Sequence, residues 1–167
     1  MQRLDQEYVG NLKRNQVLAL DIAEHTGVFS TYFKGTVSFP AMDSREAKKF
    51  GPDYHQHKYF GDWLKKTIIE NDIKAVVAED VNVSKNFVSL RKLSELRGVL
   101  LYVCADLDIP VVFVNVTSLK KWATGNGKAD KTMMMEYCEK RWHYVCQDDN
   151  EADACHIYFY FLTRYKL

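Results

Sequence analysis

Val17-Leu18-Ala19-Leu20 is an unbroken apolar run that ends on a carboxylate, Asp21, and Ala75-Val76-Val77-Ala78 repeats the pattern and ends on Glu79. Apolar runs without alternation, bounded by polar residues, read as strands buried on both faces. Such strands leave an ionised carboxylate without water, and a buried unpaired charge is costly enough to demand a partner. Asp21 and Glu79 therefore call for a cation, a metal or a hydrogen-bond donor. A single Asp at a strand end ordinarily turns the chain or caps a helix; two such strand ends in one chain, with more acid to follow, point to a site.

With 167 residues, 47% of them hydrophobic and 27% charged, the chain can build a core and is neither disordered nor collagen-like. Residues 1–15 read as a polar, frayed lead-in, and 16–167 as a single domain. No apolar run approaches the roughly 20 residues of a membrane span, and the N-terminus is too polar for a signal peptide. The expectation is a cytoplasmic protein without a membrane partner, residing in the host cytoplasm if a phage encodes it. Cys104, Cys138, Cys146 and Cys155 lack a CxxC pair and read as reduced, buried thiols. A zinc set of Cys138, His143, Cys146 and Cys155 would fit no common spacing. The net charge is only +1, but its signs are segregated. Lys85, Arg91, Lys92 and Arg97 fall in one segment, and Lys120, Lys121, Lys128 and Lys131 in another.

The strand ending at Asp21 is followed by 27–33 and 36–39, rich in β-branched and aromatic residues, with Lys34-Gly35 read as a hairpin turn between them. Residues 41–54 form a polar connection with one helical turn. An apolar stripe at Phe60, Trp63, Leu64, Thr67 and Ile68 predicts a helix over 55–71. The strand ending at Glu79 comes next, then a long helix over 86–106 and a third buried strand over 110–114. A short helix capped by Thr117 or Ser118 runs through Trp122. The Gly125-Asn126-Gly127 loop leads to a helix over 129–142, and a last helix covers 150–165. This order implies an α/β domain with a five-stranded mixed sheet covered by helices on both faces. In such sheets ligands gather outside the carboxyl ends of the strands, where Asp21 and Glu79 lie.

More acid converges there. Asp149 and Asp153, four residues apart, share one face of the last helix. Asp148 and Asp149 are also ordinary helix-start residues, but Asp153 lies between Ala152 and Ala154, whose small side chains let the helix approach the sheet. Carboxylates from different elements suit a divalent-metal phosphodiesterase, in which two ions about 4 Å apart need several oxygen ligands. No Ser–His–Asp set, phosphate-binding loop or dinucleotide fingerprint competes.

On these residues the sequence resembles RuvC-type Holliday-junction resolvases, members of the RNase H-like superfamily. The resemblance rests on Asp21; on Glu79-Asp80-Val81 with Lys85-Asn86, Leu93 and Arg97-Gly98-Val99; on Lys120 and Thr124-Gly125-Asn126-Gly127-Lys128-Ala129-Asp130-Lys131; and on Glu151-Ala152-Asp153-Ala154. It implies an RNase H-like fold and a homodimeric, metal-dependent endonuclease that nicks four-way junctions and other branched DNA symmetrically. It also implies Asp21, Glu79 and Asp153 as ligands of two Mg²⁺ ions, with Mn²⁺ able to substitute, and Lys120 and Lys131 near the scissile phosphate. Family members usually have another carboxylate three residues before the last Asp. That position is Asn150 here, and Asp149, which shares a face with Asp153, is expected to take its place. Where the family carries a junction-probing aromatic, this chain has Asn82. Phe87 is expected either to stack on a base or to sit in the core. Lys85, Arg91 and Lys128 complete the expected DNA contacts. An RNase H-like nuclease for RNA–DNA hybrid or flap DNA, and a catalytically silent junction-binding protein, are the other readings open to this fold.

Overall fold

The computed structural model describes residues 4–39, 43–51, 53–81 and 87–167. A five-stranded sheet runs in the order β3 (Lys34–Ser38), β2 (His25–Phe29), β1 (Val17–Asp21), β4 (Ala75–Glu79) and β5 (Val111–Val114). β1 is central, antiparallel to β2 and parallel to β4, and β4 is parallel to β5. The expected mixed sheet is present.

Helices cover both faces, which is why the strands read as continuous apolar runs. Val17, Ala19, Ala75 and Val77 point to one side, against α7 (Asp149–Tyr165), α5 (Val116–Thr124) and α6 (Lys131–Trp142). Leu18, Leu20, Val76 and Ala78 point to the other, against α3 (Tyr54–Glu70) and α4 (Phe87–Asp106). Side chains alternate along a strand, so Asp21 and Glu79 continue the first set and aim toward the α7 layer. All four cysteines are buried and unpaired, as expected. Among the described residues no helix is long and apolar enough to cross a membrane.

Several local expectations change. The hairpin turn is at 30–33, closed by the Ser30 N–H donating to the Phe33 carbonyl at 2.9 Å. Lys34 and Gly35 instead belong to β3, where Phe29 pairs with Lys34. The Lys34 ammonium lies 5.2 Å from the Phe29 ring centre and 4.9 Å from that of Tyr144, a cation–π contact that favours strand over turn. α2 (Ser44–Phe50) is longer than one turn and is capped by Asp43. α5 is capped by Asn115, not by Thr117 or Ser118, and continues to Thr124. Asn115 accepts from the Ser118 N–H at 3.0 Å, as an N-cap side chain does.

The lead-in also carries structure. Asp5 caps the short helix α1 (Gln6–Gly10), Val9 and Leu12 are buried, and the Tyr8 hydroxyl donates to the Lys74 carbonyl at 2.6 Å. Leu12 packs in the α7-side core. Leu12→Ala is expected to cost about 2–4 kcal/mol, the range for a buried leucine, measured as a lower urea midpoint. A frayed N-terminus would show no change.

Candidate active site

The parallel register pairs Leu20 with Ala78, so Asp21 and Glu79 end adjacent strands about one ladder spacing, ~4.8 Å, apart. Burial and like charge at this spacing favour the protonated form of each. Burial and the nearby Glu79 and Asp149 charges hold Asp21 well above the usual carboxylate range. Burial and the Asp153 charge push Glu79 up to about 7. Burial and the Asp21 charge likewise push Asp153 up to about 7. Asp153 Oδ1 is buried without a hydrogen-bond partner. Asp21, Glu79 and Asp153 thus form one cluster in which burial and mutual repulsion outweigh the cations nearby.

The approach of α7 depends on Gly27, directly opposite Asp21 in the β1–β2 ladder. A Cβ there would lie 1.9 Å from the Asn150 carbonyl oxygen, so only glycine lets the first turn of α7 lie against β2. Asp148 caps that turn, accepting from the Glu151 N–H at 2.8 Å and from the Thr36 hydroxyl of β3 at 2.8 Å. Glu151, 2% exposed, accepts from the Tyr144 hydroxyl and from the Gln147 N–H at 2.7 Å. It is a structural carboxylate, and Ala152 and Ala154 are fully buried beside it. An isolated glycine within an apolar strand pattern is the one signal in the sequence that marks such a close approach.

Two lysines flank the acid. Lys131, at the start of α6 behind its Asp130 cap, forms an ion pair with Asp149 that holds the Asp149 carboxyl below its ordinary range. Lys120 donates to the Ala129 carbonyl at 2.9 Å, and its charge lowers the carboxyls of Glu79 and Asp153. Gly125, left-handed at φ 82°, ends α5 so that the chain can turn back into this position. The structure therefore brings together Asp21, Glu79, Asp149, Asp153, Lys120 and Lys131.

The other expected DNA contacts lie elsewhere or outside the description. Phe87 is 73% exposed at the start of α4, so it does not take a core role. Arg91 pairs with Asp53 and Glu95. Lys128 is exposed on the loop before α6. Asn82, Lys85 and Asn86 fall outside the described residues. Sequence reasoning passed over a neighbouring pair: Arg97 on α4 donates to Asp80, the residue after Glu79.

The donor set fits a hard divalent cation: oxygen ligands only, mutual repulsion, and an orphaned buried carboxylate oxygen. Among the described residues no three His, Cys, Asp or Glu side chains already converge on one point as ready ligands. Lys131 on Asp149 does part of a cation's work, and a cation held by Asp149 would displace it.

Two outcomes follow from this geometry. Glu79 and Asp153 titrate near 7 when folded and near 4 when unfolded. The folded state thus holds protons the unfolded chain has lost, and stability falls as pH rises from about 4 to about 7. Asp153→Asn should therefore be more stable than the parent at pH 8 in chelating buffer, by on the order of a few kcal/mol, with the difference gone near pH 4, as read by urea unfolding. Gly27→Ala should cost about 1–3 kcal/mol, as for an overpacked contact, and should weaken divalent-ion binding because Asp149 and Asp153 retreat with α7. Calorimetric titration with Mn²⁺ measures the second effect.

The family model described as "Crossover junction endodeoxyribonuclease RuvC" matches residues 48–155. The chain is 34% identical over 113 residues to the protein of that name from Chlamydia trachomatis serovar L2, an alignment covering 62% of this chain and 66% of that one. The chain thus spans just under two thirds of that relative's length. Among solved structures it superposes on Thermus thermophilus RuvC with a TM-score of 0.67 at 17% identity, covering 90% of this chain and 96% of that one. T. thermophilus RuvC in complex with Holliday junction substrate gives the same TM-score at 15% identity, covering 90% and 95%. These likenesses show the RNase H-like fold, and the family match, over more than half of the sequence, shows that the chain belongs to the RuvC family.

Proposed function

We propose that this protein is a structure-selective endonuclease that resolves Holliday junctions and other branched DNA by symmetric, metal-dependent phosphodiester hydrolysis. The observation that carries the reading is the buried Asp21–Glu79–Asp153 cluster, with its orphaned carboxylate oxygen, flanked by two lysines. The relative from C. trachomatis carries the name of such an enzyme, and a T. thermophilus RuvC has been seen with a junction.

Asp21, Glu79, Asp149 and Asp153 would hold two Mg²⁺ ions, or Mn²⁺ in their place. Bound there, such ions supply an activated water and stabilise the leaving oxyanion. Lys131 is exposed and reaches the cluster through Asp149, so it is free to swing onto the scissile phosphate once Asp149 has another partner. Its charge then meets the charge that develops in the transition state. Lys120, tethered to Ala129, is the stationary cation that keeps the acid cluster and the phosphate compatible. Phe87, Arg91 and Lys128, together with Lys85, supply contacts to base and backbone further out.

Symmetric nicking calls for two sites related by a two-fold axis, most simply in a C2 homodimer. The exposed face of α4 suits that contact. Ser94, Gly98, Leu101 and Ala105 follow one another at three- and four-residue steps with Tyr102 beside them, all exposed, and the side of Gly98 where a Cβ would project is open. Tyr102 is 74% and the adjacent Leu101 43% exposed, so the face presents contiguous apolar surface.

One experiment tests the reading. Labelled four-way junction, plain duplex and RNA–DNA hybrid are incubated with the protein in Mg²⁺ or Mn²⁺, and the oligomeric state is measured by sedimentation. Paired nicks in the junction alone are expected. Asp21→Asn, Glu79→Gln and Asp153→Asn should each abolish cleavage while a gel shift still shows junction binding. Lys131→Ala should slow single-turnover cleavage by on the order of 10²-fold with little change in affinity. Preferred cutting of hybrid, or a protein monomeric both free and junction-bound, would overturn the reading.

A further inference from the structure

A cavity of about 330 Å³ opens at the β2–β3 turn, away from the carboxylates. Ser30 in its wall lies three residues beyond Gly27, the glycine that faces Asp21, so the cavity sits about 10 Å further along the sheet. Its walls are aromatic. Phe29, at the end of β2, meets Tyr144 edge-on at 5.1 Å and Tyr158 at 5.2 Å, while Phe159 lies flat against Trp142 at 4.2 Å between ring centres. Each ring is thus fixed by another.

The polar groups of the cavity are of one kind. Arg14 and Lys34 stand at it, both exposed. The Lys34 ammonium rests on the Phe29 and Tyr144 rings, and among the described residues neither cation has a carboxylate partner. None of the described residues lining the cavity is acidic. Ser30 is wholly buried, and its Oγ has no hydrogen-bond partner. The neighbouring Thr31 hydroxyl is already taken by the Tyr158 hydroxyl at 2.8 Å, so Ser30 is the hydroxyl left over. A buried hydroxyl without a partner costs free energy and calls for an explanation.

We propose that this cavity is a binding site for a small aromatic anion, gripped by the ring walls and held by Arg14, Lys34 and Ser30. Rings fixed face-on and edge-on suit a flat body between them. Arg14 offers a planar fork to a carboxylate or phosphate, Lys34 a point charge, and Ser30 a hydroxyl that can donate or accept. A bare inorganic anion would leave the aromatic walls uncovered, and a neutral ring would leave both cations to water. The volume is at the low end for ligand cavities and admits one compact ring system. An aromatic carboxylate and a nucleoside monophosphate share this chemistry. The site uses none of the groups assigned to hydrolysis, so it stands whether or not the nuclease reading does.

The test is calorimetric titration of the intact chain, in buffer with a chelator, with thymidine monophosphate, salicylate, thymidine and inorganic phosphate. At least one of the two aromatic anions is expected to bind at a single site with a dissociation constant below about 1 mM. Thymidine and phosphate should each bind about tenfold more weakly or not at all. Lys34→Gln and Arg14→Gln, exchanges of exposed side chains, should each weaken the aromatic anion by about tenfold. Ser30→Ala should weaken it by roughly 3–10-fold while leaving the urea midpoint of the free protein no lower, since no hydrogen bond is lost. Lys131→Ala, at the acid cluster, should leave the affinity unchanged. Which aromatic anion is held identifies the source. No binding of either would overturn the proposal, and so would phosphate or thymidine binding as tightly. Binding lost in Lys131→Ala but kept in Lys34→Gln and Arg14→Gln would place the anion at the acid cluster and overturn it too.

Discussion

Three carboxylates that repel one another are held together where the sheet ends, and much of this fold serves to impose that arrangement. Asp21 and Glu79 come side by side because β1 and β4 are parallel and in register. Asp153 joins them because α7 lies across the same strands on the face to which they point. Each group is desolvated and each sees like charge, so their protonation is pushed upward. A site of this kind lowers the stability of the protein that carries it, and the rest of the core offsets that cost.

The offset is distributed over the first turn of α7. The bare backbone at Gly27, the Asp148 cap clipped to Thr36, and Glu151 bound to Tyr144 and Gln147 each fix the helix against the β2–β3 side. Further along, Ile157, Tyr158, Phe161 and Leu162 bury the same helix in the core. Because these contacts outlast the repulsion, the cluster persists with an unsatisfied oxygen. An unsatisfied buried oxygen among carboxylates is the structural counterpart of affinity for a hard cation.

The two sides of the cluster differ in character. Toward α5 and α6 stand Lys120 and Lys131, cations suited to a phosphate backbone. Toward α4 stands a small pocket ended by a neutralised Arg–Asp pair. The first side presents positive charge, and the second an ion pair closed on itself beside apolar side chains.

The strands, the long helices and the convergence of Asp21, Glu79, Asp149 and Asp153 were legible in the sequence by itself. Apolar runs and three- and four-residue stripes report burial directly, and a charge ending a buried run stands out against them. Family resemblance added the lysines. Local details misled where several conformations share one composition: Lys34-Gly35 looks like a turn until Phe29 and Tyr144 draw the ammonium into β3, and the polar lead-in looks frayed until Leu12 finds the core. Only tertiary structure decided that Glu151 is structural while its neighbour Asp153 faces the site, since both lie in the same acidic stretch and differ by the direction each takes from the helix. It alone decided the role of Gly27 and the pairing of Asp80 with Arg97. A close approach of backbones, or a side chain meeting another 17 residues away, depends on how separate elements dock, and docking leaves no periodicity in the chain.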